Sequence, residues 1–482
     1  MRERLEAGGP GTEYRNPLTE RYASPEMSRI FSPAFKFGTW RRLWLALAEA
    51  EQALGVEIPD EAVAQMREHL DDIDLDAAAE HERRLRHDVM AHVYHFGEVA
   101  PKARPFIHLG ATSSFVTDNT ELIQQREALR LVRRRLLSCI AALAAFAAEH
   151  RDLPTLGFTH FQPAQPTTVG KRATLWLQDL VLDLEEVDHR LATLRARGVR
   201  GATGTQASFL ELFDGDHDRV DALQRRIADA MDFDRVYGVT GQTYPRKVDH
   251  ATLSTLGGIA ASTSKFAHDI RLLAHLREVE EPFGEKQIGS SAMPYKRNPM
   301  RAERITGLAR HVLALGTDAG FTAATQWFER TLDDSANRRI ALGEAYLATD
   351  AILLLVHNVA AGLVVHPTVI RRRLEQEMPF LATESILMHA VRGGGDRQDL
   401  HERIRHHAIA AADRLKAEGG ENDLPERIAG DDAFGLDLEA VRSILAPERH
   451  IGRSARQVDV FLAELEPVLA EAESGATPEL RA

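Results

Sequence analysis

The sequence predicts an all-α fold organised as a bundle of long helices, on three observations. Apolar residues recur at helical spacing in extended blocks. Few segments alternate with period two on β-branched residues. The helical blocks also run far past the mean helix length of about 11–12 residues, which suits an extended bundle better than a compact monomer.

The elements follow in chain order. An early helix is expected from Thr39, a residue type favoured at N-caps, with Trp40, Leu43, Trp44, Leu47 and Leu54 on one face as far as Gly55. A longer block spans about 119–150 and carries Leu122, Leu129, Val132, Leu136, Ile140, Leu143 and Phe146. At about 1.5 Å per residue it would reach roughly 48 Å. Further blocks lie near 168–198, 247–281, 299–318 and 334–365. Leu175, Leu177, Leu180, Val181, Leu182 and Leu184 place apolar groups on more than one helix face, so a homo-oligomer sharing helices is expected. Turn residues between Pro105 and Asp118, and the proline of Val365-His366-Pro367, mark boundaries. The expected division is 1–112, 113–365 and 366–482, with glycine-rich breaks at 393–395 and 419–420 in the last part.

Composition narrows the function classes. With 44% hydrophobic and 27% charged residues, the 482-residue chain is of ordinary globular type. Its 72 acidic and 59 basic residues leave a net charge of −13, which argues against a nucleic-acid partner while leaving room for local arginine clusters. The only cysteine, Cys139, excludes an intrachain disulfide and a cysteine-built zinc site. The first residues carry no signal-peptide pattern, and the dozen at the N-terminus read as a disordered lead-in. Ala351–Val356, the most apolar stretch, falls short of the ~20 residues that span a bilayer and reads as a buried helix. A cytoplasmic protein with no membrane partner is therefore expected. His92 and His95 are spaced three apart, but no further ligands complete a set, so no metal is expected.

Chemistry concentrates in the segment Gly289-Ser-Ser-Ala-Met-Pro-Tyr-Lys-Arg-Asn-Pro299. Two serines, a Lys-Arg-Asn cluster and bracketing prolines between helices make a lid candidate that could set an activated hydroxyl beside cations. The segment resembles the signature of the fumarase/aspartase superfamily. Arg21–Met27, Leu85–His92, Thr155–Gln165, Gly241–Tyr244 and Gln326–Arg339 resemble other motifs of that superfamily, in the same order. Thr383-Glu-Ser and Gly394–Gln398 resemble the third domain of its adenylosuccinate branch.

The resemblance implies a three-domain fold whose central bundle is shared across a homotetramer, with three subunits building each site. It implies a carbon–nitrogen lyase without a cofactor. The expected reactions release fumarate from adenylosuccinate, giving AMP, and from the succinylaminoimidazole carboxamide ribotide of purine biosynthesis. By the same resemblance Ser290 is the base and His160 the acid, Lys296 supports the developing charge, and Glu303 pairs with His160. Substrate binding is assigned to Arg21, Tyr22, Arg86, His87, Asp88, Thr112, Ser113, Gln242, Arg304, Arg330, Ser335 and Arg339. Two other readings are a different fumarate-releasing member, such as one acting on argininosuccinate, and a helical scaffold that has lost activity.

Overall fold

The computed structural model of the chain describes residues 14–472. The expected disordered lead-in lies outside the described residues. Helix α1 (Pro33–Ala53) starts where the Ser32 hydroxyl accepts the Phe35 N–H at 3.2 Å, with Pro33 in the first helical position. This corrects the start expected at Thr39. Thr39 lies nearly two turns inside, and its hydroxyl donates back to the Phe35 carbonyl at 2.8 Å. Trp40, Leu43, Trp44 and Leu47 form the buried face as expected.

After α2 (Asp88–Val99), helix α3 (Ser113–Glu149) runs for 37 residues, about 55 Å at 1.5 Å per residue. The chain then departs from pure helix. Strands β1 (Pro154–Thr159) and β2 (Gln162–Thr168) pair antiparallel, with Thr159 opposite Gln162 and only His160 and Phe161 between them. Both turn residues have positive φ, 53° and 57°, as a two-residue turn of the primed type requires. Helix α4 (Val169–Thr193) follows the hairpin, and α5 (Lys247–His275) comes after a segment that holds two shorter helices, Ala207–Leu212 and His217–Ala230.

A two-residue strand β3 (Val279–Glu280) precedes the 289–299 loop, which feeds α6 (Met300–Ala324) and then α7 (Asp333–Ala361). Strand β4 (Val364–Val365) pairs back on β3 before α8 (Pro367–Leu381). Helices α3 to α7 pack along one another, and their inner faces make the largest apolar core. A second core gathers Trp40, Trp44, Phe96, Phe115, Phe209 and Phe213, and a third lies among residues 386–444.

Helix α7 is longer and more continuously apolar than Ala351–Val356 suggested. By length and composition it could cross a membrane, but 78% of its apolar window is buried inside the fold, in keeping with the buried helix expected there. On α4, Leu177, Leu180 and Leu184 enter the core, whereas Leu175 and Leu182 stay half exposed at 50% and 51%. Phe321 on α6 and Ile340 on α7 are exposed as well.

Candidate functional site

Many of the predicted binding residues meet where α2, α3 and α7 begin. Arg86 ends the preceding helix in the left-handed conformation, φ 55°. That turn sets His87 at the N-cap of α2, where its Nδ1 accepts the Met90 N–H at 3.3 Å. Its Nε2 faces the Ser113 hydroxyl at 3.3 Å. Asp88 accepts from Arg339 on α7 at 2.7 Å, and Arg339 Nε reaches the Ser335 hydroxyl at 3.4 Å. Burial opposes the charge on Asp88, but the Arg339 hydrogen bond and charge outweigh it and hold the carboxyl below its ordinary range. Gln242 Nε2 donates to the Thr112 hydroxyl at 3.4 Å, closing the ring onto the start of α3.

Behind this ring stands a buried ionic network. Arg246 donates from Nε to Asp334 at 2.6 Å, while its two terminal nitrogens reach the Asp118 oxygens at 3.2 and 3.3 Å. Asp334 also accepts from Arg330 at 2.7 Å, so a predicted binding arginine is held by the same carboxylate. Arg338 joins Asp249 and Glu121, each at 2.6 Å, and donates to the Tyr244 hydroxyl. Burial works against ionised Asp118, yet Arg246, Arg338 and Arg197 more than offset it and keep its pKa low. The backbone is fastened too. Gln242 N–H donates to the Glu329 carbonyl at 2.9 Å, and a Cβ on Gly241 would come within 2.6 Å of that oxygen. Only glycine fits there.

A second group forms beside the start of α6. The Arg21 and Arg304 guanidiniums lie over the Tyr22 ring at 6.0 and 5.5 Å. The nearby 289–299 loop is gathered at its base. Glu281 accepts from the Arg301 and Ala302 N–H groups at 3.1 and 2.9 Å, and Asn298 donates to the Gly289 carbonyl at 2.7 Å. At the tip, the Ser290 hydroxyl oxygen accepts the Met293 N–H at 3.1 Å. Lys296 is exposed, and among the described residues its ammonium makes no hydrogen bond or ion pair.

His160 projects from the hairpin turn into solvent, and Glu303 is exposed in the first turn of α6. Among the described residues no hydrogen bond or ion pair joins these two, or either of them to Ser290. One chain therefore brings together many of the residues predicted to bind substrate, while no bond joins the predicted reacting groups. His92 and His95 have other work: His92 stacks on Phe37 at 3.8 Å, and His95 accepts the Asp74 N–H at 3.0 Å. The sequence reading missed Asp118, Arg246, Asp249, Asp334 and Arg338 because each looks like a surface charge in isolation. Asp334 and Arg338 do lie within a motif that was singled out.

Comparison with known proteins decides the family. A model described as "Lyase" matches residues 23–314, and one described as "Adenylosuccinate lyase C-terminus" matches 379–461. The adenylosuccinate lyase of Saccharomyces cerevisiae is 54% identical over 452 residues, covering 93% of this chain and 94% of its own. The chain belongs to the adenylosuccinate lyases. That of Schizosaccharomyces pombe is 50% identical with the same coverage, and that of Schistosoma mansoni 48%, over 95% of this chain and 96% of its own. Among solved structures, the 3-carboxy-cis,cis-muconate lactonizing enzyme of Pseudomonas putida superposes with a TM-score of 0.81 at 24% identity. It covers 94% of this chain and all of its own. A fumarate lyase from Mesorhizobium reaches 0.78 at 25% identity, over 92% and 99%. The chain thus shares its long-helix fold with a lactonizing enzyme and a fumarate lyase of much lower identity.

Proposed function

We propose that the chain cleaves adenylosuccinate to AMP and fumarate, and cleaves the succinylaminoimidazole carboxamide ribotide in the same way. The observation that carries this is the 54% identity to an adenylosuccinate lyase over nearly the full length of both chains. The reaction breaks a carbon–nitrogen bond by β-elimination. Ser290, as its alkoxide, removes the proton from the carbon beside a succinyl carboxylate, and the electron pair is held on that carboxylate. The carbon–nitrogen bond then breaks, and His160 gives the departing nitrogen its proton.

A neutral serine is a weak base, so its negative form needs donors aimed at Oγ. The Met293 N–H already points there, and Lys296 on the same loop is the cation that closure would add. Glu303 raises the proton affinity of His160 by pairing with it. Since His160 and Glu303 are both exposed and apart in one chain, we assign their pairing to neighbouring subunits. The assembly is a homotetramer in which three chains furnish each site. The exposed Leu175, Leu182, Phe321 and Ile340 on the bundle helices support such a shared surface. We assign the chain to the cytoplasm and divide it into functional segments 1–112, 113–365 and 366–482.

Adding purified protein to adenylosuccinate and following absorbance tests the reading. Conversion to AMP is expected. Turnover of argininosuccinate in its place would overturn the substrate, and turnover of neither would leave the inactive scaffold.

A further inference from the structure

The first turn of α1 holds a lysine that neither the motifs nor the reaction uses. Three contacts, made just before and just after this turn, set it between α2, α3 and α7. The Ile30 carbonyl accepts from Gln124 of α3 at 2.8 Å. Phe31 stacks on Tyr346 of α7 at 5.5 Å and lies 3.9 Å from the position a Cβ on Gly343 would take. Phe37 stacks on His92 of α2 at 3.8 Å. Gln124, Gly343 and His92 each sit about one helical turn from a residue of the predicted ring or its support: Glu121 on α3, Arg339 on α7 and Asp88 on α2. Lys36 lies close enough to all three for their charges to act on it.

Its stem is half buried, and its ammonium lies 5.2 and 5.1 Å from the Phe37 and Trp40 rings. Among the described residues it forms no ion pair or hydrogen bond. The carboxylates that face it are largely committed elsewhere, Asp88 to Arg339 and Glu121 to Arg338, while Glu82 stands farther off as an exposed residue. Burial, and then repulsion from Arg339, pull the Lys36 pKa below its ordinary value, with Glu121, Asp88 and Glu82 acting the other way. A desolvated ammonium beside a guanidinium is costly unless an anion comes to lie against both.

Resting on the nucleotide-binding reading above, we propose that Lys36 is a substrate-binding residue whose ammonium, with Arg339, holds the phosphate monoester of the nucleotide. Lysine suits this as a compact point charge with three donors, and Ser335 and Ser113 add hydroxyls at the same ring. The two succinyl carboxylates are the other anions the substrate carries, and the test separates them from the phosphate.

The probes are AMP, adenosine and fumarate, measured against the wild type, Lys36→Met and Lys36→Arg by calorimetry and as inhibitors of turnover. Lys36→Met is expected to weaken AMP roughly 10- to 100-fold, the loss of one charge-assisted contact. Adenosine and fumarate should be unchanged, KM should rise more than kcat falls, and Lys36→Arg should recover most of the AMP affinity. Unchanged AMP binding in Lys36→Met overturns the proposal, as does a loss confined to fumarate. Equal losses for AMP and adenosine, unrelieved in Lys36→Arg, would assign Lys36 a packing role and overturn it as well. Thermal melts establish that both variants fold. A wild type that neither binds AMP nor turns over adenylosuccinate would instead sink the functional reading itself.

Discussion

The network around Arg246 and the loop carrying Ser290 treat charge in opposite ways. In the first, Arg246 and Arg338 are almost wholly buried and every charge has a bonded partner. In the second, Lys296 is exposed and without an ionic partner among the described residues, as are His160 on the hairpin and Glu303 in α6. The network is finished within one chain and locks the starts of α3 and α7 together, which fixes Thr112, Ser113, Arg330, Ser335 and Arg339 in advance. The loop and hairpin keep the reacting groups on short, separately anchored segments. On the proposed roles, substrate recognition is preorganised within one chain, while the chemistry is assigned to loop closure and to another chain.

Substitutions should break the two regions differently. Ser290→Ala should lower turnover at least roughly 10²–10⁴-fold, the span of a lost general base, with the thermal melt close to wild type. Near wild-type rates would remove Ser290 as the base. Arg246→Met leaves Asp118 and Asp334 buried and short of a partner, so it should cost about 3–5 kcal/mol of stability, read in a denaturant titration. A loss of activity at unchanged stability would contradict a supporting role for the network.

Gly289→Ala sharpens the contrast from the loop side. An added Cβ would fall 2.1 Å from the Lys296 carbonyl oxygen, so the tip must shift. A shift near 1 Å costs on the order of 10²-fold in rate, and the melt should barely move because residues 291–297, which take up the shift, are exposed. Equal loss of rate and of melting temperature would mean that the loop is part of the core.

Glu51 gives the smallest effect and the complementary case, a buried carboxyl with no partner for either oxygen. Burial pushes its pKa up to about 8. The unfolded carboxyl ionises around its ordinary value of 4.5, while the folded one stays protonated until about 8. The stability present below the lower value is therefore lost as pH rises through the upper. Glu51→Gln cannot ionise, so its melting temperature should match wild type near about pH 4 and exceed it above about pH 8. No difference at high pH would show that Glu51 has a counter-charge in the assembly.

The same contrast explains what the sequence disclosed. The long helices were legible because their apolar faces repeat over many turns, and the 289–299 loop because its residues match a signature. Thr39 was misread because Ser32-Pro33, a cap followed by proline at the first helical position, was the stronger start signal. The hairpin escaped because its turn is His160-Phe161 with no glycine or asparagine, and because Pro163 and Pro166 read as loop. Arg246 and Arg338 escaped for a different reason. Arginine is usually exposed, and only the folded chain shows that its partners arrive from α3, α5 and α7.

The central claim, that separate chains complete the reacting half of the site, is tested most directly by mixing two inactive proteins. His160→Ala and Ser290→Ala variants are combined, subunit exchange is verified by mass, and adenylosuccinate turnover is followed. Recovery of activity on exchange is the expected result. Full exchange with no recovery would contradict shared sites and place His160 and Ser290 of one chain at the same substrate.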